Sequence, residues 1–299
     1  IIIDSYNKTE YTIKNIAHDN TTYYGSVFAL SNTGKETFTD FSFTTEKSPI
    51  SGKNLVLTKQ SEIDDFYYTH VKSLTIKGNE INTLLGLSSL QKIEEYIHIE
   101  STTLKSLKGL ENLTEATDYP HLPYVRLIQN KQLVDIGDLK NFSHNIRNLF
   151  INASPIKNLD GIFFNEEKNP SITLNNLSID NLSNLSKIKS LNQLWLENLP
   201  NLTSLNDLSN LEKISYALTI RDLPKITSLE GLENLKKING FFRIQNNKSL
   251  NDFCDATDLL INMSDKQYWS DHKWKPLLII EENEYNPTKT ELENRECKI

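Results

Sequence analysis

The chain has 299 residues, enough for one large domain or two smaller ones with a buried core. It carries 32 Lys and Arg against 39 Asp and Glu, a net charge of -7, and no basic cluster, which argues against nucleic acid as a partner. No apolar run approaches the length that spans a bilayer, so no transmembrane segment is expected.

Residues 1–48 are predicted to be the C-terminal part of a β-sandwich. Alternating residues in 21–45 predict two strands joined by a turn at 32–34. Because a two-stranded hairpin is marginal alone, the other strands are expected upstream of this chain. The chain begins IIID, with neither Met nor a signal-peptide pattern, so we expect it to be a processed or truncated piece.

Residues 49–73 are predicted to be a linker and an N-terminal cap. The pattern indicates a strand at Leu55–Leu57 and a short helix with Ser61 as its N-cap. Ile63 and Phe66 of that helix are expected to cover the first unit of the next segment.

Residues 74–248 are periodic. Triplets in which two apolar residues flank a variable one recur with a mean step of 24 residues. They predict about eight rungs, each a strand and its return path, in a right-handed parallel solenoid. The triplets are LTI (74–76), IHI (97–99), VRL (125–127), LFI (149–151), ITL (172–174), LWL (194–196), LTI (218–220) and FRI (242–244).

Apolar residues spaced by three follow the triplets, as in Leu229, Leu232, Leu235 and Ile238. This spacing fits 3₁₀-like turns on the back of a solenoid better than an α-helix. A column of residues that tolerate left-handed backbone predicts one turn per rung at positive φ. Its members are Gly86, Gly109, Asp138, Gly161, Asn181, Asp207 and Gly231.

A second column is mostly Asn and is predicted to be an internal ladder of side-chain amides that satisfy backbone groups. It comprises Ser89, Asn112, Asn141, Asn184, Asn210 and Asn234. Several of these positions also form Asn-x-Ser/Thr sequons, so N-glycosylation is the alternative interpretation.

Residues 249–299 are predicted to be a C-terminal cap, with a short helix that presents Phe253, Leu259 and Leu260 to the last rung. Cys254 and Cys297 lie 43 residues apart. They allow one disulfide in an oxidising compartment; the alternative is two unrelated buried thiols in a cytosolic protein.

The middle residue of each triplet is predicted to point outward, together with the residue two positions before it. These two columns contain a stripe of aromatic and basic side chains, of the kind enriched in interfaces and usable for stacking on sugars. The candidate ligand-binding residues are Tyr96, His98, Tyr124, Arg126, Phe150 and Trp195. The alternative is that these rings only stack on one another as cross-strand pairs.

No catalytic, metal or cofactor motif accompanies the repeats. The six histidines have no metal-ligand spacing, and there is no nucleophile elbow, P-loop or dinucleotide turn. Asp252, Asp255 and Asp258 are compatible with calcium, but first-turn acids also favour a helix N-terminus. Glu100 and Glu197 are predicted to lie four rungs apart, roughly 20 Å at about 4.8 Å per rung, too far for paired catalytic carboxylates.

Residues 54–299 resemble the receptor L-domain group of leucine-rich-repeat-like solenoids, in the form found in bacterial secreted or surface-anchored proteins. The matching features are the pattern LTI…N..L.SL.GL..L..I.G, SLNDFC at 249–254 and YNPTKTELENREC at 285–297. Residues 11–45 resemble the last strands of a fibronectin type III domain, with Tyr23 at its tyrosine corner. Rungs three to five depart from the pattern, with the insertion FFNEEKNPS at 163–171.

The resemblance implies an exported, often lipid-anchored protein that binds ligands or adheres and is not an enzyme. We therefore expect a monomeric recognition or adhesion module on the outer cell surface, without cofactors, whose exposed sheet binds a glycan or a protein. Two alternatives stay open: a passive spacer, and a polysaccharide-active enzyme on a β-solenoid.

Overall fold

The computed structural model describes residues 22–30, 36–44, 52–117, 123–270 and 273–299. The protein is mainly β within these ranges. Its strands are β1 (Thr22–Leu30), β2 (Glu36–Thr44), β3 (Asn54–Leu57), β4 (His70–Lys77), β5 (Lys92–Glu100), β6 (Glu115–Ala116), β7 (Tyr124–Ile128), β8 (Asn148–Ser154), β9 (Ser171–Leu177), β10 (Ser190–Glu197), β11 (Lys213–Arg221), β12 (Lys237–Ile238), β13 (Phe241–Gln245), β14 (Gln267–Ser270), β15 (Lys273–Pro276) and β16 (Leu278–Glu281).

The helices in the described part of the chain are short, and none has the length and apolar character that a membrane crossing needs. The α-helices are α1 (Gln60–Asp64), α2 (Thr257–Ser264) and α3 (Lys289–Glu293). The 3₁₀ turns are Leu85–Ser89, Gly137–Leu139, Ser143–Asn145, Glu166–Lys168, Ser183–Leu185, Asn206–Leu208 and Cys254–Ala256.

The strands β1 and β2 form an antiparallel hairpin, in register from Thr22 opposite Thr44 to Leu30 opposite Glu36. Tyr23 stacks on Phe43, with 5.4 Å between the ring centroids. The predicted turn at 32–34 lies outside the described residues, as does most of the remainder of 1–48. The hairpin is therefore present, while the β-sandwich around it stays a prediction.

A long parallel sheet forms the body of the molecule, in the order β3-β4-β5-β7-β8-β9-β10-β11-β13-β16. All eight triplets lie in it, and each aligns residue for residue with the preceding one. The strands β3 and β16 add one parallel strand at each end. This sheet of ten strands is compatible with a β-solenoid and extends the eight predicted rungs by a strand on either side.

One continuous core lies behind the sheet. It is made by the apolar residues of the triplets and by the residues spaced by three, which are all buried. Leu229 and Leu232 show why the spacing is three: the Leu232 amide donates to the Leu229 carbonyl at 3.1 Å, and the Leu235 amide repeats the contact to Leu232 at 3.0 Å. These are 3₁₀-type bonds, as the spacing predicts.

The prediction of a positive φ in every rung at the glycine column is wrong for four of its seven members. Only Gly109, Gly161 and Gly231 have positive φ. At Gly86, Gly109 and Gly231 glycine is needed because successive turns touch: a Cβ on Gly109 would lie 1.9 Å from the Leu84 carbonyl oxygen. The positive φ instead recurs two residues after each triplet, at Gly78, Ser101, Gln129, Ala153, Asn176, Asn198, Asp222 and Asn246, and at Glu282 two residues after Ile280 of β16.

Both ends of the sheet are covered. At the N-terminal end, Ile63 and Phe66 are buried as predicted, but α1 begins at Gln60, two residues after Thr58, with Lys59 and not Ser61 as its N-cap residue. Glu62 accepts a hydrogen bond from the Lys59 amide at 3.0 Å, which fixes this start.

The C-terminal cap is a 3₁₀ turn followed by α2, not a single helix. Phe253 and Leu260 are fully buried against the core. A disulfide joins Cys254 to Cys297, with 5.0 Å between their Cα atoms, so the predicted bridge is present in the structure. It ties the end of the chain to the turn that closes the last rung.

The predicted amide ladder is present, but it lies on the surface. Asn112, Asn210 and Asn234 each donate through Nδ2 to a backbone carbonyl one rung earlier, at 2.9, 2.7 and 2.8 Å, and all three side chains are exposed. The buried ladder is a different set that includes Asn130 and Asn247, both fully buried. This ladder could not be predicted from the sequence, because only some rungs carry an amide at that position.

Candidate functional site

The sheet face that points away from the core carries two aligned columns of side chains. In β7, for example, Val125 and Leu127 are buried while Arg126 between them is exposed. Alternate residues of a strand point to opposite faces, so the parallel register stacks each outward residue beside its equivalent on the next strand. Arg126 aligns with His98 on one side and with Phe150 on the other.

Five of the six predicted ligand-binding residues lie together on three neighbouring strands: Tyr96, His98, Tyr124, Arg126 and Phe150. Trp195 is in the same column but two strands beyond Phe150, and Thr173 of β9 lies between them. The stripe is thus continuous from β5 to β8 and interrupted at β9.

Two contacts organise the continuous part of the stripe. The rings of Tyr96 and Tyr124 are stacked, with centroids 5.0 Å apart and planes 11° from parallel. The Arg126 guanidinium carbon lies 5.4 Å from the Phe150 ring centroid, in cation–π geometry. These four side chains pack in pairs across strands, as the alternative interpretation expects.

Trp195 differs from the other rings in the stripe. It is 37 % exposed, and it has no aromatic partner within the part of the chain that the structure describes. A large exposed ring of this kind is typical of a binding surface more than of a packing contact.

Burial and charge perturb two titratable groups in the stripe. Desolvation is the main cause that lowers the pKa of His98 below its usual 6.5; the nearby Arg126 charge adds to it, and Glu100, 3.5 Å from Nε2, opposes it. Burial also raises the pKa of the Tyr124 hydroxyl, with a contribution from Tyr96. At neutral pH both groups are uncharged, so Arg126 supplies the positive charge of this surface.

A shallow depression of about 330 Å³ opens where the stripe meets β9 and β10. It contains the predicted residues Tyr124, Arg126 and Phe150 and several polar residues that were not selected from the sequence. The additional lining residues are Asn148, Leu149, Ser171, Thr173 and Gln193. Four of these residues occupy the predicted outward columns: Asn148, Ser171, Thr173 and Gln193. Their place in the repeat, and not an aromatic side chain, is the sequence feature that could have identified them as site residues.

A larger depression of about 560 Å³ lies elsewhere, beside the 3₁₀ turn Leu85–Ser89. It is lined by turn residues that include Lys105 and Lys108 and by no aromatic ring. Flexible lysines around an open concavity offer no fixed geometry, so we take the aromatic depression on the sheet as the candidate site.

The acidic residues that were considered as catalytic or calcium-binding groups do not lie together. Glu100 and Glu197 lie on β5 and β10, four strand steps apart, and Glu197 is paired with Arg221 at 3.3 Å. Asp252 and Asp258 each face a cation, Lys298 at 3.6 Å and Arg295 at 3.0 Å. Among the described residues, no three His, Cys, Asp or Glu side chains are placed to hold a metal ion.

Comparison of the chain with models of protein families, with curated proteins and with solved structures finds no match.

Proposed function

We propose that this chain is a non-catalytic recognition or adhesion module of the cell exterior, secreted or held on the outer cell surface, that binds a glycan or a protein through the exposed face of its sheet. In this proposal the parallel sheet is the scaffold of a leucine-rich-repeat-like L-domain, and the β1–β2 hairpin ends a fibronectin III-like sandwich. The module acts as a monomer.

The observation that carries the proposal is the run of outward aromatic and basic side chains beside the depression on β7 to β10. Phe150, Arg126 and Tyr124 line that depression, and Trp195 remains exposed next to it. Rings that pack only for stability bury their faces, whereas Trp195 leaves aromatic surface open to solvent and Arg126 has no acidic partner among the described residues. Solenoids use such an extended face to bind ligands.

A disulfide at the C-terminal cap supports the proposed location of the protein outside the cell. Disulfides persist in oxidising compartments and are rare where thiols are kept reduced. Cys254 and Cys297 are the only cysteines of the chain, and they are paired with each other.

The test uses the double variant Phe150→Ala with Trp195→Ala on glycan arrays and on arrays of extracellular proteins. The wild-type chain is expected to bind at least one ligand, and the variant to bind it at least tenfold more weakly, because each stacking contact contributes about 1 kcal/mol. Tyr216→Ala is the matched control: Tyr216 is 49 % exposed and lies on β11, and it does not line the depression.

Unchanged binding by the double variant would contradict the assignment of the binding site to this surface. No binding by the wild-type chain on either array would contradict the recognition function and favour a passive spacer. A shift in the sedimentation coefficient with concentration would contradict the monomer.

A further inference from the structure

The depression on the sheet is rich in hydrogen-bond donors that have no acceptor. The Arg126 guanidinium has five N–H groups, and it is in neither a hydrogen bond nor an ion pair with any residue in the described ranges. Its position over the Phe150 ring at 5.4 Å limits its rotation. Because no acceptor among the described residues occupies it, the planar guanidinium can take a bidentate partner.

Two hydroxyl groups on β9 add further donors. Ser171 Oγ accepts a hydrogen bond from Asn192 Nδ2 at 2.8 Å, and Thr173 Oγ1 accepts one from Gln193 Nε2 at 3.4 Å. Neither hydroxyl donates to an acceptor among the described residues. Thr173 is only 7 % exposed, so its unused O–H lies at the floor of the depression, where a missing acceptor costs free energy.

The charge around the depression has the opposite sign to that of the molecule. The chain carries a net charge of -7, yet no Asp or Glu lines this depression. Glu95 and Glu100 of β5 act on Tyr124 and His98, and Glu197 of β10 is paired with Arg221 at 3.3 Å; none of the three lines the depression. An isolated cation among neutral donors favours a ligand that brings a negative charge and several acceptors.

The shape of the depression favours a sugar over a peptide. The backbone N–H and C=O groups of β7, β8 and β9 are used in the parallel ladder, so a peptide cannot add to this face as a strand. The described residues that line this depression form no deep apolar pocket for an anchoring side chain. The open floor of hydroxyls and amides beside the aromatic rings of Tyr124 and Phe150 suits a pyranose ring, whose hydroxyls form hydrogen bonds and whose C–H face packs on aromatic rings.

We infer that this depression binds an acidic sugar unit, a uronic or sialic acid, whose carboxylate pairs with the Arg126 guanidinium while Ser171 and Thr173 donate to its ring oxygens and hydroxyls. The inference rests on the proposed function and specifies the ligand of the same surface. Trp195, one strand beyond β9, stacks on a neighbouring sugar of the same chain.

The experiment titrates the whole protein with oligogalacturonate and, separately, with its methyl ester, which has the same sugars without the charge. Sialyllactose and lactose form a second pair of acidic and neutral probes. We expect binding of at least one acidic probe, detected by calorimetry and NMR saturation transfer, and at least tenfold weaker binding of its neutral partner, because charge-assisted bonds to Arg are about twice as strong as neutral ones.

Variants separate charge from geometry. Arg126→Gln is expected to weaken acidic-sugar binding at least tenfold, and Arg126→Lys to weaken it by an intermediate factor, because Lys keeps the charge but loses the planar fork. Arg243→Gln is the matched control: Arg243 is exposed in the same outward column, five strands from Arg126. Arg126 is exposed, so circular dichroism should show the wild-type fold in each variant.

The outcomes distinguish the two proposals. Equal binding of acidic and neutral probes, or full binding by Arg126→Gln, overturns the acidic-sugar inference, while sensitivity to Phe150→Ala with Trp195→Ala would leave the recognition function in place. Tighter binding of a poly-glutamate peptide than of any acidic sugar also overturns the inference. Failure to bind any array ligand would overturn both.

Discussion

Buried amides connect neighbouring rungs near the C-terminal end of the sheet. Asn247 is fully buried; its side chain accepts from the Leu223 amide at 2.9 Å and donates to the Ile220 carbonyl at 3.0 Å. It also donates to Asn283 Oδ1 at 2.9 Å, which extends the ladder by one rung. One side chain thus satisfies backbone groups in the preceding rung and binds the following one.

We expect Asn247→Ala to destabilise the protein by about 3 kcal/mol, because it leaves buried donors and acceptors without partners. Asn234→Ala is the matched control, since that amide also joins two rungs but is exposed to water; it should cost less than about 1 kcal/mol. Urea denaturation followed by circular dichroism measures both. Similar losses in the two variants would show that burial does not decide the effect.

The pKa of His98 gives a second prediction for a single residue. Burial lowers it, with help from Arg126, so folding favours the neutral imidazole. The contribution of His98 to stability is therefore full above the unfolded value of 6.5 and is lost as the pH falls from 6.5 through the lower folded pKa. NMR titration should place the folded pKa below 6.5, and Arg126→Gln should raise it. A shift of equal size in Arg243→Gln would contradict the assignment to Arg126.

Among the elements, the C-terminal cap depends on a long covalent link. The Cys254–Cys297 bridge spans 43 residues that include α2, the β14–β15 hairpin and α3. The Phe253 amide donates to the Cys297 carbonyl at 2.8 Å, so the bridge and the backbone hold the same two segments together. The cap in turn covers the apolar edge of the last rung.

Replacing both cysteines by Ala is expected to lower the free energy of unfolding by about 3–4 kcal/mol, because a closed loop of this length restricts the unfolded chain. Thermal melts with and without reductant measure the loss in the wild-type chain, and the double variant should be insensitive to reductant. Non-reducing peptide mapping of the protein produced in an oxidising compartment should link Cys254 to Cys297. Two free thiols there would refute the bridge.

The sequence was most informative at the positions where every repeat needs the same type of residue. Leu229 and its equivalents, spaced by three, must be apolar because they are fully buried, so the core and the 3₁₀ turns were predicted. The positive φ two residues after each triplet could not be predicted, because Ser101, Gln129 and Ala153 occupy that position as readily as Asn or Gly. There the stacked rungs impose the conformation, and residue preference is a weak guide.

The sequence predicted where the candidate site lies, but not which of its polar groups are available to a ligand. The period placed Arg126 and Phe150 on neighbouring strands, as the pairing confirms. The hydroxyl donors of Ser171 and Thr173 could not be identified from the sequence, because their availability depends on which amides of β10 occupy their acceptor sites.

For the molecule as a whole, each strand contacts only its neighbours, so stability should vary along the sheet. We expect hydrogen exchange to be slowest in the central strands β8 and β9 and fastest in the edge strand β3. The disulfide should make β16 slower than β3, although both are edge strands. In the variant without cysteines this asymmetry should disappear; uniform exchange along the sheet would indicate a single cooperative unit.

The register of the sheet has a consequence for how such a surface changes. Irregularities in pairing occur before the triplets, between Val71 and Ser73 in β4 and between Leu191 and Gln193 in β10, so the outward columns stay aligned. Each rung adds one row at a spacing of about 4.8 Å, and the outward residue of a row makes no demand on the core. New binding specificities can therefore evolve by substitution of the outward residues of one rung at a time, while the apolar residues that fold the chain stay unchanged.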